Sequence, residues 1–133
     1  MGRFVVDCGV VLKLAGDETK VSAKHKLLAP TLLRSQTLSA VHEAVQRGEL
    51  TPEAGREQLR RVNGMPIRLL GDAVLRRRAW DIAEELGWPE TYDAEYVALT
   101  QLQADAFVTL NKRLARQVQK LVRTTTLDEL LDS

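Results

Sequence analysis

Short apolar runs rich in β-branched and aromatic side chains alternate with longer segments of helical periodicity along this sequence. Parallel strands need a long crossover between them, usually a helix. The alternation therefore predicts a parallel or mostly parallel sheet with helices on both faces, which is a three-layer α/β/α fold. The apolar runs are residues 3–6, 27–29, 66–70, 106–110 and 122–125.

Helix signals between these runs are strongest where capping residues mark the ends. Thr51-Pro52-Glu53 combines a capping hydroxyl, proline at the first helical position and an acid in the first turn. Asp72 is placed to cap a helix that Gly87 ends. The two helices between Thr31 and Val62 have no strand between them, so we expect a hairpin that packs against the sheet or a partner. The expected helices are residues 10–15, 32–47, 52–63, 73–86, 92–103, 111–121 and 127–131.

Length and charge limit the classes of protein to be considered. The 133 residues fit one domain, residues 1–133, and the net charge of +1 creates no overall basic field that would demand nucleic acid. The local basic clusters are interpreted as solvated helix faces. They are Arg76-Arg77-Arg78, Arg56/Arg60/Arg61 and Lys112/Arg113/Arg116/Lys120.

Cysteine usage and hydropathy predict a cytoplasmic protein without a membrane span. Cys8 is the single cysteine, so an intramolecular disulfide is excluded, and its apolar neighbours favour a buried thiol over a nucleophile. The longest apolar runs are too short to cross a bilayer. A carboxylate already at Asp7 argues against a secretory signal.

Two aspartates carry most of the chemical information. Asp7 directly follows the first apolar run, and Asp93 opens a helical segment that precedes the run at 106–110. A carboxylate just past a buried strand can point into the crevice at the carboxyl edge of an α/β sheet, where such folds bind ligands. Two carboxylates there would attract a hard divalent cation. The alternative is that each aspartate only caps the helix beside it.

A distinctive pattern lies in the last third of the chain: Tyr92-Asp93-Ala94-Glu95-Tyr96-Val97-Ala98-Leu99, followed by Thr109-Leu110-Asn111-Lys112-Arg113-Leu114-Ala115. This pattern resembles the PIN-domain family of metal-dependent ribonucleases. The likeness is greatest to the short bacterial VapC-type toxins of toxin–antitoxin pairs. It covers essentially the whole chain, because the order of elements is also that of the family. The resemblance implies a PIN-like fold, cleavage of RNA with Mg²⁺ or Mn²⁺, a cognate antitoxin and a homodimer.

The resemblance also implies a four-membered site, which this chain fills with two acids and two amides. Asp7 matches the first acidic position of the family and Asp93 the third, so these two are the expected metal ligands. Gln36 stands where the family has an acid early in a helix, and Asn111 where it has an aspartate. The amides keep a ligating oxygen but remove two negative charges. The implied catalytic set is Asp7, Gln36, Asp93 and Asn111, with Lys112 and Arg113 near RNA phosphates.

Several alternatives remain open at the level of sequence. The two amides favour a PIN-fold protein that binds RNA or a protein partner without cutting, and a third reading is an unrelated doubly wound enzyme or response-regulator-like domain. Glu43 lies two turns after Gln36 and could supply a carboxylate, although a solvated role is favoured. Asp105 precedes its strand and is expected at the opposite edge. Trp80 and Trp88 are interpreted as core or interface residues in preference to base-stacking platforms.

Overall fold

Five parallel strands form one central sheet in the computed structural model, which describes residues 2–131. The strand order is β3-β2-β1-β4-β5, and every neighbouring pair is parallel. Helices connect the strands and flank the sheet, so the predicted α/β fold is confirmed. The strands are β1 (Gly2–Val6), β2 (His25–Pro30), β3 (Ile67–Leu70), β4 (Ala106–Val108) and β5 (Thr124–Thr125).

The helices follow the predicted order, with the hairpin between β2 and β3. They are α1 (Cys8–Gly16), α2 (Leu32–Gln46), α3 (Pro52–Gly64), α4 (Ala73–Leu86), α5 (Tyr92–Gln103), α6 (Lys112–Val118) and α7 (Leu127–Leu131). The predicted caps are present, because Thr51 and Asp72 accept hydrogen bonds from the backbone of α3 and α4, and Gly87 ends α4 in the left-handed conformation. Within residues 2–131, none of these helices combines the length and apolar character needed to cross a bilayer.

Some local predictions were wrong. β4 ends at Val108 instead of Leu110, and Leu110 is 48% exposed because the chain leaves the sheet at that point. Helix α6 is shorter than predicted, since Asn111 caps it and Gln119 follows its last residue. The prediction that Trp80 and Trp88 are core or interface residues is not among these: Trp88 packs partly against the core, and the 63% exposure of Trp80 leaves an interface role for it as a prediction.

Two apolar residues assigned to buried helix faces are exposed. The helical spacing of Leu33, Leu38 and Val41 predicts that Leu38 is buried, but Thr37 occupies the buried position instead. Its hydroxyl donates to the Leu33 carbonyl, which satisfies the buried polar group. Val74 in α4 is also exposed, one position ahead of the buried row. That row consists of Leu75, Ala79, Ile82 and Ala83.

Helix α5 covers the central strands and is the most deeply buried helix of the site region. The register sets Val5 of β1 beside Phe107 of β4, and the Tyr96 ring of α5 lies 6.2 Å from the Phe107 ring. Beyond the end of α5, Asp105 accepts a hydrogen bond from the Arg3 backbone at the start of β1. Helix α5 therefore begins near the carboxyl edge of the sheet, which is where its first turn presents Asp93.

The hairpin of α2 and α3 packs against α1. The Gln58 amide donates to the Leu12 carbonyl at 3.1 Å, and the Arg61 guanidinium donates to the Ala15 carbonyl at 3.3 Å. Where the two hairpin helices meet, Gly55 is buried, and a Cβ placed on it would lie 2.7 Å from Cγ2 of Val45. This close approach explains a glycine inside a helix, where it otherwise lowers stability.

Two glycine-to-alanine changes in α3 test this packing. Gly64→Ala adds a methyl group where nothing lies within 4 Å, so it should stabilise the chain by restricting the unfolded state. Gly55→Ala makes the same change against a stiff valine. We expect it to be about 1–3 kcal/mol less stable than Gly64→Ala in urea unfolding. Equal stabilities of the two variants would show that the hairpin is not packed through Gly55.

Candidate active site at the carboxyl edge of the sheet

Asp7 lies where β1 ends and is held by two hydrogen bonds. Its Oδ1 accepts from the Val10 backbone at 3.1 Å, which caps α1. Its Oδ2 accepts from the Thr109 hydroxyl. Thr109 is adjacent because β1 and β4 pair in parallel register up to Val6 and Val108. Asp7 is therefore both a helix cap and a fixed carboxylate at the sheet edge, so the two roles considered from sequence do not exclude each other.

The surroundings of Asp7 oppose its negative charge. Burial is the largest influence and raises the pKa of the carboxyl group, and the charge of Asp93 raises it further. The hydrogen bonds from Thr109 and Val10 lower this pKa but do not cancel the effect of burial. Asp7 takes part in no ion pair within residues 2–131. A cation would relieve this uncompensated charge.

Asp93 lies in the first turn of α5 and lines an open concavity of about 360 Å³. Partial burial is the main cause of its raised pKa, and the neighbouring charge of Glu90 adds to it. The side chain still reaches solvent. Asp93 can therefore meet a ligand from outside. The residues around this concavity are Gln36, Trp88, Pro89, Glu90, Tyr92, Asp93 and Gln117.

Gln36 shares this concavity and is held by Tyr96. The Tyr96 hydroxyl donates to Oε1 of Gln36. Burial raises the pKa of Tyr96 strongly, and the nearby Cys8, Asp7 and Asp93 raise it further, so the phenol stays protonated and remains a donor. The interaction fixes the amide oxygen of Gln36 between α2 and α5.

Asn111 has a structural task at the start of α6. Its Oδ1 accepts from the Leu114 backbone at 3.0 Å, and its own backbone donates to the Thr109 hydroxyl oxygen at 3.1 Å. Asn111 is thus linked to Asp7 through Thr109. Lys112 and Arg113 follow it in the first turn of α6, and both are exposed.

The other candidates lie outside this group or lack the required reactivity. Glu43 is exposed and engaged by Ser39 at 3.1 Å and Arg47 at 3.9 Å, which agrees with the solvated role. Asp105 lies at the opposite edge beside Arg3, as predicted. Burial and then the charge of Asp7 raise the pKa of the Cys8 thiol to about 11, so Cys8 is no thiolate nucleophile at neutral pH.

Three residues around the site were given no role from the sequence. Thr109 and Tyr96 were noted only as letters of the motif, and Glu90 was not considered. Thr109 lies inside the apolar run predicted at residues 106–110 and follows the strand only because β4 ends at Val108, so its place at the sheet edge was not visible in the sequence. Tyr96 and Glu90 depend on the packing of α5 against α2, which local sequence patterns do not contain.

The donor set is sparse but chemically coherent. Within residues 2–131, no three His, Cys, Asp or Glu side chains are grouped so as to hold a metal ion. The arrangement instead offers two carboxylates and the amide oxygens of Gln36 and Asn111, each already accepting one hydrogen bond. A carbonyl oxygen has a second lone pair, so neither amide is exhausted as a ligand or as an acceptor for water.

Comparison with known proteins identifies relatives along most of the chain. No protein-family model matches it. The chain is 30% identical to VapC ribonuclease Mb0985 of Mycobacterium bovis over 115 residues. The matched region covers 84% of this chain and 88% of that protein. Ribonuclease VapC9 of Mycobacterium tuberculosis matches with the same identity and coverage.

Solved structures share the fold at lower identity. PAE2754 from Pyrobaculum aerophilum matches with a TM-score of 0.78 at 22% identity, over 97% of this chain and 92% of that one. A chain of VapBC2 from Rickettsia felis, solved bound to a DNA fragment from their promoter, matches with a TM-score of 0.68 at 8% identity, over 93% and 98% of the two chains. These structures show the shared fold, and the 30% identity over 84% of the chain shows that the chain belongs to the VapC ribonuclease family of PIN-domain proteins.

Proposed function

We propose that the chain is a metal-dependent endoribonuclease that acts in the cytoplasm as the toxin of a type II toxin–antitoxin pair. One observation carries the proposal: Asp7 and Asp93, each with a raised pKa, face the same edge of the sheet without an ion-pair partner in the described residues. The names of the relatives, VapC ribonuclease and ribonuclease VapC9, support RNA as the substrate. The positions of the two aspartates support metal binding, and the similarity to VapC ribonucleases supports RNA cleavage.

The donor set fits Mg²⁺ or Mn²⁺. Mg²⁺ keeps several waters and is usually held by one or two carboxylates together with substrate phosphates. Asp7 and Asp93 are the residues that would hold the ion, since Asp93 opens to solvent and both Asp7 oxygens retain lone pairs beyond their single hydrogen bonds. A bound ion would supply an activated water and offset charge developing on phosphate.

The remaining residues position this chemistry. Thr109 fixes the orientation of Asp7, and Tyr96 fixes the amide of Gln36. Gln36 and Asn111 serve as neutral ligands or hold water beside the carboxylates. Lys112 and Arg113, exposed at the start of α6, contact RNA phosphates and bring the scissile bond to the acidic pair.

A non-cleaving binding protein is the second candidate function. Two observations favour it: the Asn111 oxygen is used in capping α6, and the Gln36 oxygen is used by Tyr96. Because each amide oxygen already accepts one hydrogen bond and neither amide carries a charge, the site keeps the shape of a nuclease but only two negative charges. The protein would then bind RNA or a protein partner on the same surface.

Restoring the missing charges tests the choice between these functions. Gln36→Glu and Asn111→Asp should each tighten Mg²⁺ or Mn²⁺ binding by about 1–4 kcal/mol in a partly screened cleft. The change at Gln36 should be the larger, because Gln36 lines the concavity with Asp93 whereas the Asn111 oxygen points to Leu114. The double variant should also cleave RNA faster. The measurements are metal-dependent thermal shift and cleavage of a structured RNA.

Two aspartate variants control this experiment. Asp7→Asn keeps a capping oxygen but should abolish the metal response. Asp72→Asn changes the matched cap of α4, where Oδ1 accepts from Leu75 at 2.8 Å, and should leave the metal response intact. If the double restoration binds metal no more tightly than the natural chain, the charge deficit is not what limits the site, and the binding function is favoured.

Thr109 offers a test of positioning. Thr109→Val keeps the shape of the side chain but removes the donor to Asp7 and the acceptor for the Asn111 backbone. We expect RNA cleavage to fall about tenfold or more, with a loss of roughly 1 kcal/mol of stability. Thr109→Ser should restore cleavage, because serine supplies the same hydroxyl. Failure of serine to rescue would assign Thr109 to packing alone.

The proposed partners are an antitoxin and a second copy of the chain. The match to VapBC2 supports an antitoxin, and an antitoxin arginine could pair with Asp7 or Asp93 through two hydrogen bonds. The hairpin was expected to expose the apolar surface for pairing, but Leu38 is its one exposed large apolar side chain, and Val74 and Trp80 on α4 add to the apolar surface. A homodimer contact that uses α2 or α4 would bury these side chains.

The homodimer is tested by light scattering of the purified chain. We expect twice the mass of the 14.9 kDa chain at micromolar concentration. The Trp80→Glu variant should shift the population toward the monomer if α4 contributes to the dimer contact. A chain that remains monomeric at high micromolar concentration would exclude the dimer.

A further inference from the structure

The concavity beside Asp93 has walls from three helices and from the loop that precedes α5. Gln36 comes from α2, Asp93 from α5 and Gln117 from α6, and Trp88 lies in the loop. The concavity is open to solvent and holds about 360 Å³, near the lower end of the range of about 300–1,000 Å³ that small-molecule sites span. This size suits a planar group such as one nucleobase.

Flat side chains form part of this concavity. Tyr92, the first residue of α5, is 52% exposed, so much of its ring is not used by the core. Trp88 packs partly against the core, which holds in place the part of its ring that lines the concavity, and Pro89 adds apolar surface beside it. Partly exposed aromatic rings are the surfaces on which proteins stack the bases of single-stranded nucleic acids.

Gln36 presents a hydrogen-bond donor to the concavity. The Tyr96 hydroxyl donates to Oε1 of Gln36, so the Nε2 group on the other branch of the amide is turned away from Tyr96. Gln36 forms no other side-chain hydrogen bond with residues 2–131, and its Nε2 atom is not one of the buried polar atoms that lack a partner there. The hydrogens of this group are therefore open to a ligand, and every base has acceptor atoms on its edge.

Glu90 supplies an acceptor on the same concavity. It is exposed, and it lies close enough to Asp93 for its charge to raise the pKa of the Asp93 carboxyl group. Glu90 forms no ion pair within the described residues 2–131. A carboxylate accepts a hydrogen bond from the amino group of cytosine, whereas uracil has a carbonyl oxygen at that position. The concavity thus combines a donor and an acceptor that can distinguish between bases.

Helix α6 connects the concavity to the proposed phosphate contacts. Gln117 lines the concavity, and Arg113 lies four residues earlier, on the same face of α6. Arg113 is exposed. A strand whose phosphate is bound by Arg113 would pass along the rim, so that an attached base can turn inward. This continuity of a cation with an aromatic concavity favours single-stranded RNA as the ligand.

We propose that the concavity beside Asp93 binds one base of the RNA strand next to the scissile phosphate: Tyr92 stacks on the base, the Nε2 group of Gln36 donates to its edge, and Glu90 accepts from its amino group. The inference rests on the proposed ribonuclease function and adds to it a preference for a base that carries an amino group. The oxygen of Gln36 stays with Tyr96, so this role uses a different atom from metal ligation.

The base preference is tested by fluorescence anisotropy on the full chain in EDTA, so that no RNA is cleaved. The probes are labelled dodecamers of cytidine and of uridine, whose bases differ in the amino or carbonyl group at position 4. We expect the cytidine dodecamer to bind at least about fivefold more tightly. Glu90→Gln should remove most of this preference, because glutamine also donates to uracil. Glu85→Gln, the same exchange at an exposed position outside the concavity, should retain it.

Stacking is tested by a pair of changes at Tyr92. Tyr92→Leu keeps an apolar side chain but removes the aromatic ring, and should weaken binding of the cytidine dodecamer at least about fivefold. Tyr92→Phe keeps the ring and should bind like the natural chain. Because Tyr92 is half exposed, both variants should unfold at nearly the temperature of the natural chain.

The donor is tested by Gln36→Glu, which keeps an oxygen for Tyr96 and replaces the Nε2 group by a second oxygen. Binding of the cytidine dodecamer in EDTA should fall about fivefold or more, although the same change is expected to tighten metal binding. Gln46→Glu adds the same charge at the exposed end of α2 and should alter neither affinity. Opposite effects on RNA and on metal separate the donor from a metal ligand.

Each outcome decides the proposal. A cytosine preference that Glu90→Gln removes, together with weaker binding by Tyr92→Leu and Gln36→Glu, supports it. Equal affinity for the two dodecamers, equal affinity of the two Tyr92 variants or the absence of RNA binding would overturn it. Cleavage with Mg²⁺ or Mn²⁺ is measured separately. A chain that cleaves RNA without these preferences keeps the proposed function and loses the base site, whereas one that shows them without cleaving keeps the base site and loses the nuclease function.

Discussion

The parallel pairing of β1 with β4 is the constraint on which the acidic site depends. It brings Val6 and Val108 level, so the next residue out of β1, Asp7, meets Thr109 as it leaves β4. The hydrogen bonds continue from Thr109 to the Asn111 backbone, and the Asn111 side chain caps the start of α6. A shift of register by one residue would turn the side chains of β4 to the other face and separate these groups.

Helix α5 supplies the second half of the site through a different kind of contact. Tyr96 packs over Phe107 with its ring and holds Gln36 with its hydroxyl, so one side chain joins the core to the cleft. Asp93 is carried on the same helix, three residues earlier. The acidic pair is thus assembled by a strand pairing on one side and a helix docking on the other, and the side chains that make both contacts are buried.

The parts of the fold that were predictable from sequence are those with local signals. The limits of α5 and the caps of α3 and α4 follow from periodicity and from residues such as Thr51, Asp72 and Gly87. The end of β4 was not predictable, because Leu110 continues the apolar run but lies beyond the last strand pair. Leu38 misled for a related reason: a threonine that satisfies its hydroxyl within the helix can replace a leucine at a buried position.

The candidate site, like the fold, could be predicted from the sequence only in part. Asp7 and Asp93 were identified from their positions beside apolar runs and from a family motif, whereas the partners that orient Gln36 and Asp7 arise only when distant elements pack. Asn111 shows the difference clearly. The motif places it in a ring of ligands, and the structure adds that its side chain caps a helix.

That capping role has an evolutionary consequence. A helix cap accepts asparagine and aspartate almost equally, so position 111 can gain or lose a negative charge while the local backbone keeps its conformation. Codons for asparagine and aspartate differ by one base, as do those for glutamine and glutamate, the pair relevant to position 36. A lineage could therefore adjust the strength of this site in single mutational steps without passing through unfolded intermediates. The fold leaves the charge of the site open to selection while its architecture stays constant.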